Sequence, residues 1–224
     1  RTNGQTLYTE DGELGFTEDT VVRWYKYWNN LRDKGLVPDA ATSVEHIGVP
    51  LEQGLFVRGK EAITEIPANQ IYLFQDQVTN DGLINIVRIP HLENKPGGEF
   101  TEGSYLAVTA DSNNPEAAAK LISFFINDPE AQKIFMTEQG VPPTTTAIDN
   151  IYSELTEPEK RAILFVQETL EIATKAPYPP IGASEILERF REIGETVAYG
   201  YATPEEGAAE FMNDAKSILL RNRN

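Results

Sequence analysis

The stretch GSYLAVTADSNNPEAAAKLISFFINDPEAQKIFMTEQGVPPTTT runs from Gly103 to Thr146. Ser104–Ala110 (SYLAVTA) is β-rich and reads as a strand. Asn114 can cap a helix, and Pro115 suits its first position, where no N–H is needed. Ala118, Leu121, Ile122 and Phe125 recur at helical spacing, so they predict its buried face. Asp128-Pro129-Glu130 repeats the signal and predicts a second helix ending at Gly140. Val141–Asp149 (VPPTTTAID) reads as extended, because proline and threonine resist helix.

Outward from this stretch, helices and strands alternate, which predicts an α/β fold. Upstream, Thr17 caps a helix reaching Lys34, with Glu18 and Asp19 at its positive end and Gly35 closing it. Its predicted apolar face is Val21, Trp24, Trp28 and Leu31. Pro50–Arg58 reads as a short helix, Glu61–Ile66 as a strand and Ile84–Ile89 as another strand ending at Pro90. His91–Glu102 reads as a loop, with a plain turn at Gly97-Gly98. Downstream, Thr156-Glu157-Pro158-Glu159 and Thr203-Pro204-Glu205-Glu206 are capping boxes with proline at the first helical position. The first opens a helix to about Lys175. A rigid loop, Ala176–Gly182, precedes a helix from Ser184 with Leu187, Phe190, Ile193 and Val197. The last helix carries Ala208, Phe211, Ala215, Ile218 and Leu219.

Composition narrows the function. The 224 residues carry a formal charge of −16, which repels phosphate backbones and argues against a nucleic-acid partner. The absence of cysteine removes thiolate metal sites, disulfides and thiol nucleophiles. No apolar run approaches the ~20 residues that cross a bilayer. His46 and His91 have no carboxylate at metal-motif spacing and read as surface histidines. There is no G-x-S-x-G elbow, phosphate loop or H-E-x-x-H, so no catalytic residue, metal or cofactor is assigned. The acidic pairs Glu205-Glu206 and Asp128/Glu130 sit in first helical turns, where the dipole favours them. The chain begins at Arg1, which reads as a processed product or a fragment.

Polar and aromatic residues gather where extended segments end: Asn69-Gln70 after Pro67, Ser104-Tyr105 after Gly103, and Tyr178 before Pro179. Amides donate and accept, tyrosines offer a flat apolar face with a polar tip, and both suit a hydroxyl-rich ligand at the ends of strands. The same residues also suit ordinary loop ends.

The Gly103–Thr146 stretch resembles the C-terminal half of bacterial extracellular solute-binding proteins, family 1, the maltose-binding-protein-like group. The resemblance rests on Asn114-Pro115-Glu116-Ala117-Ala118, Pro129-Glu130-Ala131 and Gly140-Val141-Pro142, in that order. Phe56–Ile63 resembles the family's helix-to-strand junction, Ile89-Pro90 the end of its next strand, and Thr203–Ala208 its final helix start. The resemblance implies a periplasmic-binding-protein-like type II fold, mainly the C-terminal lobe plus a segment crossing to the N-terminal lobe. Residues 1–89 and 141–224 would form the C-terminal lobe, and 90–140 the crossing segment.

It also implies a role as the substrate-binding component of an ABC importer. Such a protein closes an interlobe cleft on a mono- or oligosaccharide, delivers it to the membrane permease subunits, and works as a monomer when complete. The expected location is extracellular, lipid-anchored at the cell surface, or periplasmic. Asn69 and Gln70 fall near a position where relatives place a stacking aromatic. Ser104 and Tyr105 fall on a strand entry facing the cleft. Tyr178 and Glu185 fall near a second aromatic site, where Leu187 or a neighbour replaces the usual tryptophan. Three other readings are an acidic carbohydrate-active hydrolase, a peptide or amino-acid binding module, and an interaction module docking through the aromatic first helix.

Overall fold

The computed structural model describes residues 4–78, 82–90, 105–174 and 178–223. In chain order the helices are α1 (Glu18–Asp33), α2 (Ala40–Glu45), α3 (Ile71–Gln77), α4 (Pro115–Asn127), α5 (Pro129–Phe135), α6 (Thr145–Ile151), α7 (Glu157–Leu170), α8 (Ala183–Ala198) and α9 (Pro204–Arg221). Short 3-10 turns occupy Leu51–Gln53, Ala68–Gln70 and Tyr152–Glu154. The described residues divide into two compact units. Unit 1 holds 4–50, 90 and 178–223, and unit 2 holds 51–78, 82–89 and 105–174.

Unit 1 is built on α1, α8 and α9. Its core is Val21, Tyr25, Ile186, Ile193, Val197, Ala208, Phe211, Met212, Ala215, Ile218 and Leu219, all nearly solvent-free. The positions recur every three or four residues on each helix, which is why the sequence makes three amphipathic helices rather than strands. Phe211 is the hub: its ring lies 6.2 Å from Phe16, stacked, and 5.0 Å from Phe190, edge to face. The inner face of α1 is Val21 and Tyr25, with the expected Trp24 at the exposed margin. Two glycines face the Tyr25 ring. A Cβ at Gly194 would meet Tyr25 Cε1 at 3.6 Å, and one at Gly207 would meet Tyr25 Cε2 at 3.5 Å. Those are ordinary contact distances; the close approach that requires glycine at 207 is to Val197 Cγ2, which a Cβ there would overlap, and the Tyr25 ring is held by stacking 5.6 Å from Phe190.

Both predicted capping boxes form, whereas Thr17 and Asn114 stand at the N-cap positions of α1 and α4 without a side-chain cap hydrogen bond. Thr203 Oγ1 accepts from the Glu206 N–H at 3.2 Å, and Glu206 Oε2 accepts from the Thr203 N–H at 2.9 Å. Thr203→Ala is expected to lower the stability of unit 1 by about 1 kcal/mol. Urea unfolding followed by far-UV circular dichroism measures it, and an unchanged midpoint would refute the role of this cap.

Unit 2 has a smaller core. Ile151, Leu155 and Ile163 are buried together, with Met136, Val141 and Ile148 against them. Glu159, at the third position of α7, is nearly buried and fully engaged. One oxygen accepts from the Thr156 N–H (2.8 Å) and hydroxyl (2.7 Å), the other from the Thr137 hydroxyl (3.1 Å). A half-satisfied carboxylate here would be costly, so this network fixes α7 against the turn after α5.

Several local expectations are corrected. No strand ladder forms among the described residues; the one β contact is an isolated antiparallel bridge, Tyr8 to Leu14. Glu61–Ile66, Ile84–Ile89 and the described part of Ser104–Ala110 have no partner strand among the described residues, and a strand needs one, unlike a helix, whose hydrogen bonds are internal. Ile84 and Ile86 still turn inward while Asn85 and Val87 face solvent, so the two-residue alternation is present without the ladder. Pro50–Arg58 forms only the 3-10 turn and further turns. Within Val141–Asp149 the chain is helical from Thr145, because Thr144 Oγ1 accepts from the Ala147 N–H at 3.2 Å and starts α6. The second helix of the deciding stretch stops at Phe135, where Met136 takes φ 50°. Helix α4 forms where expected, yet none of its residues is buried, and Leu121 is 66 % exposed. The loop His91–Glu102 with its Gly97-Gly98 turn, and Ser104, lie outside the described residues.

Candidate functional site

In unit 2, Pro67 leads into the turn Ala68–Gln70, where the Gln70 N–H donates to Pro67 O at 2.9 Å, and this runs directly into α3. Ile71, completely buried, anchors the junction. Asn69 Nδ2 donates to Glu138 O at 3.2 Å, and the Tyr72 hydroxyl donates to the Glu138 carboxylate. Asn69, Gln70 and Tyr72 are thereby gathered around the turn after α5. The Asn69 amide nitrogen makes this contact, and Gln70 is half-buried beside it. Tyr105, at 88 % exposure, presents nearly its whole ring to solvent. Ser104, its predicted companion, is outside the described residues.

The Glu138 carboxylate, with burial second, pushes the Tyr72 phenol up to about 12 from an ordinary 10.0. A phenol raised on folding contributes stability that is whole below pH 10 and is lost as pH climbs toward 12. Tyr72→Phe is expected to remove one tyrosinate transition near pH 12 from the alkaline absorbance titration. An identical titration in the variant would contradict the contact.

The remaining predicted residues are in unit 1. Tyr178 is 82 % exposed. Glu185, in the first turn of α8, accepts from Arg221 Nη2 at 2.5 Å near the end of α9. Both side chains are half-exposed, so this ion pair is worth at most about 1 kcal/mol and ties two helix ends together. Gly182 precedes them at φ 93°, and a Cβ there would come within 2.8 Å of Ile218 Cγ2. The predicted residues that are described thus fall in two groups: Asn69, Gln70 and Tyr105 in unit 2, Tyr178 and Glu185 in unit 1.

A feature the sequence reading missed lies where α1 and α8 end. A cleft of about 230 Å³ is lined by Asn29, Arg32, Asp33, Tyr199 and Gly200, among others. Tyr199 stacks on Tyr201 at 5.8 Å with rings 15° apart. The Tyr-Gly-Tyr run directly after a helix was the signal available in the sequence. A second, larger hollow of about 360 Å³ lies between Glu13, Phe16, Glu18, Met212 and Lys216. Among the described residues no cluster of His, Asp or Glu could hold a metal ion, and no helix is long and apolar enough to cross a membrane.

Comparison with known proteins gives this geometry a family. The model of the bacterial extracellular solute-binding proteins matches residues 3–162. Among solved structures, the chain is similar to an extracellular solute-binding protein family 1 from Alicyclobacillus acidocaldarius, with 28 % identity and a TM-score of 0.79, over 96 % of this chain and 55 % of that one. It is also similar to a periplasmic oligogalacturonide binding protein from Yersinia enterocolitica, solved with saturated digalacturonic acid. There the identity is 20 % and the TM-score 0.84, over 98 % of this chain and 56 % of that one. A de novo designed cysteine esterase shares the fold as well (19 % identity, TM-score 0.71, 98 % of this chain and 55 % of that one), but this sequence has no cysteine to act as its nucleophile. The chain spans little more than half the length of each of these structures. The family and its natural solved relatives are binding proteins rather than enzymes, and their fold is the periplasmic-binding-protein fold inferred from the N-P-E-A-A stretch. By the match over most of its length, the chain belongs to the bacterial extracellular solute-binding proteins.

Proposed function

We propose that the chain serves in the extracellular substrate-binding component of an ABC importer, gripping a mono- or oligosaccharide in an interlobe cleft and passing it to a membrane permease. The observation that carries this reading is the fold likeness, over 98 % of the chain, to a protein solved with a digalacturonic acid, joined to membership of the family. Residues 1–89 and 141–224 are assigned to the C-terminal lobe and 90–140 to the crossing segment. Asn69, Gln70 and Ser104 pair with ligand hydroxyls, Tyr105 and Tyr178 lay their rings on the sugar, and Glu185 accepts from a hydroxyl at the rim. Closure works by population shift: contacts made only in the closed state pull the open–closed equilibrium over. The protein acts outside the cytoplasmic membrane, on a lipid anchor or in the periplasm.

Charge favours a neutral sugar over a uronate. A chain of net charge −16 repels a polyanionic ligand unless cations line the site, and the carboxylate of Glu185 stands among the assigned residues. A thermal-shift screen tests the reading, because a ligand of the native state raises the melting temperature with its occupancy. Neutral mono- and oligosaccharides, oligogalacturonides, amino acids and peptides make up the panel. The expected result is a shift with a neutral saccharide, reduced in Tyr105→Ala. A shift with amino acids or peptides alone would replace the sugar reading.

A further inference from the structure

We propose that the cleft at the ends of α1 and α8 is a second binding site, separate from the assigned sugar site, for a neutral polyhydroxylated ring the size of one pyranose. Three observations select it.

The first is Arg32. Arg23, Arg189, Arg191, Arg221 and Arg223 in the same unit all pair with carboxylates. Among the described residues of unit 1, Arg32 is the arginine with no carboxylate within ion-pair reach, in a chain holding 35 acidic residues. Its Nη1 donates to Asn29 Oδ1 at 3.2 Å, while its Nε is shut off from solvent with no acceptor. Arg32 as a whole is half-buried and lines the cleft, so its terminal N–H groups, rather than the buried Nε, are the donors a ligand oxygen meets. A guanidinium present only to complement the helix dipole would leave its Nε in water.

The second is the lining. Asp33 accepts, Asn29 donates and accepts, and Arg32 donates, an assortment that matches alternating hydroxyls. Tyr199, stacked on the 82 % exposed Tyr201, supplies a flat apolar face for the C–H side of a ring. The volume, about 230 Å³, falls below the ~300–1,000 Å³ of pockets for drug-sized ligands, which limits the occupant to a single small ring.

The third is the field. α1 and α8 both end here, so the negative ends of two helix dipoles converge, with Asp33 beside them. Arg32 and the C-cap Lys34 offset this locally without making the cleft an anion site.

The test is saturation-transfer NMR on the 224-residue chain, using methyl α-glucopyranoside and methyl α-galactopyranoside as probes and galacturonate as the charged comparison. Saturation transfer to a neutral glycoside, an affinity at least about tenfold weaker in Arg32→Gln and in Tyr199→Ala, and no such loss in Tyr152→Ala, an exposed tyrosine outside both sites, support the site. Circular dichroism confirms that each variant is folded; should Arg32→Gln unfold, Tyr199→Ala decides. Failure of both neutral glycosides to bind, binding indifferent to the cleft variants, or tighter binding of galacturonate would overturn it. Binding lost in Tyr105→Ala and kept in Arg32→Gln would overturn the second site while supporting the proposed sugar cleft.

Discussion

Phe211→Ala should lower the stability of unit 1 by about 3–5 kcal/mol, a large part of what a domain of this size possesses. The side chain is almost wholly buried in α9 and touches aromatic partners on either side, Phe16 and Phe190. Truncation removes its transfer energy and leaves a cavity whose walls are other rings, and rings collapse poorly into a void. Chemical denaturation followed by near-UV circular dichroism would show it as an early transition. A loss below about 1 kcal/mol would mean that the three helices are not packed as described.

A chain extended at its N-terminus to the length of its solved relatives should bind its sugar several kcal/mol more tightly than the 224-residue chain, at ~1.4 kcal/mol per tenfold in affinity. The physical reason is visible in unit 2. Ile84–Ile89 and the described residues of Ser104–Ala110 carry strand-type sequence with no partner strand among the described residues, and α4, an apolar helix, has no buried residue. Surfaces of that kind gain partners when more of the fold is present, and a cleft closed from both sides strips water from the ligand's hydroxyls. Isothermal titration of the two chains with the same saccharide makes the comparison. Equal affinities would show that the present chain already supplies the whole grip.

The fold was legible where its information is local. Asp128-Pro129, Thr156–Glu159 and Thr203–Glu206 mark helix starts through caps that act within one turn, Asn114-Pro115 marks one through its proline alone, and each helix begins there. It was less legible where partners are remote. The alternation in Ile84–Val87 says strand, but pairing depends on another segment of chain. The inward turn of Tyr25 on α1 is set by packing on Phe190 of α8, more than 160 positions away, which a sequence window around α1 does not contain. The same division holds for the candidate site. Asn69 and Gln70 stood out as amides following a proline, whereas Glu138, which holds Asn69 and Tyr72 in place, lies 66 to 69 residues on. The cleft at Arg32 went unread because it is made by two helix ends that meet only in three dimensions.

The central claim is that this protein grips a sugar and breaks no bond in it. Isothermal titration of the relative-length chain with a neutral oligosaccharide, followed by chromatography of the recovered sugar, addresses that claim directly. The account predicts saturable binding and a saccharide recovered intact. Shortened products, or no heat with any saccharide while a peptide binds, would contradict it.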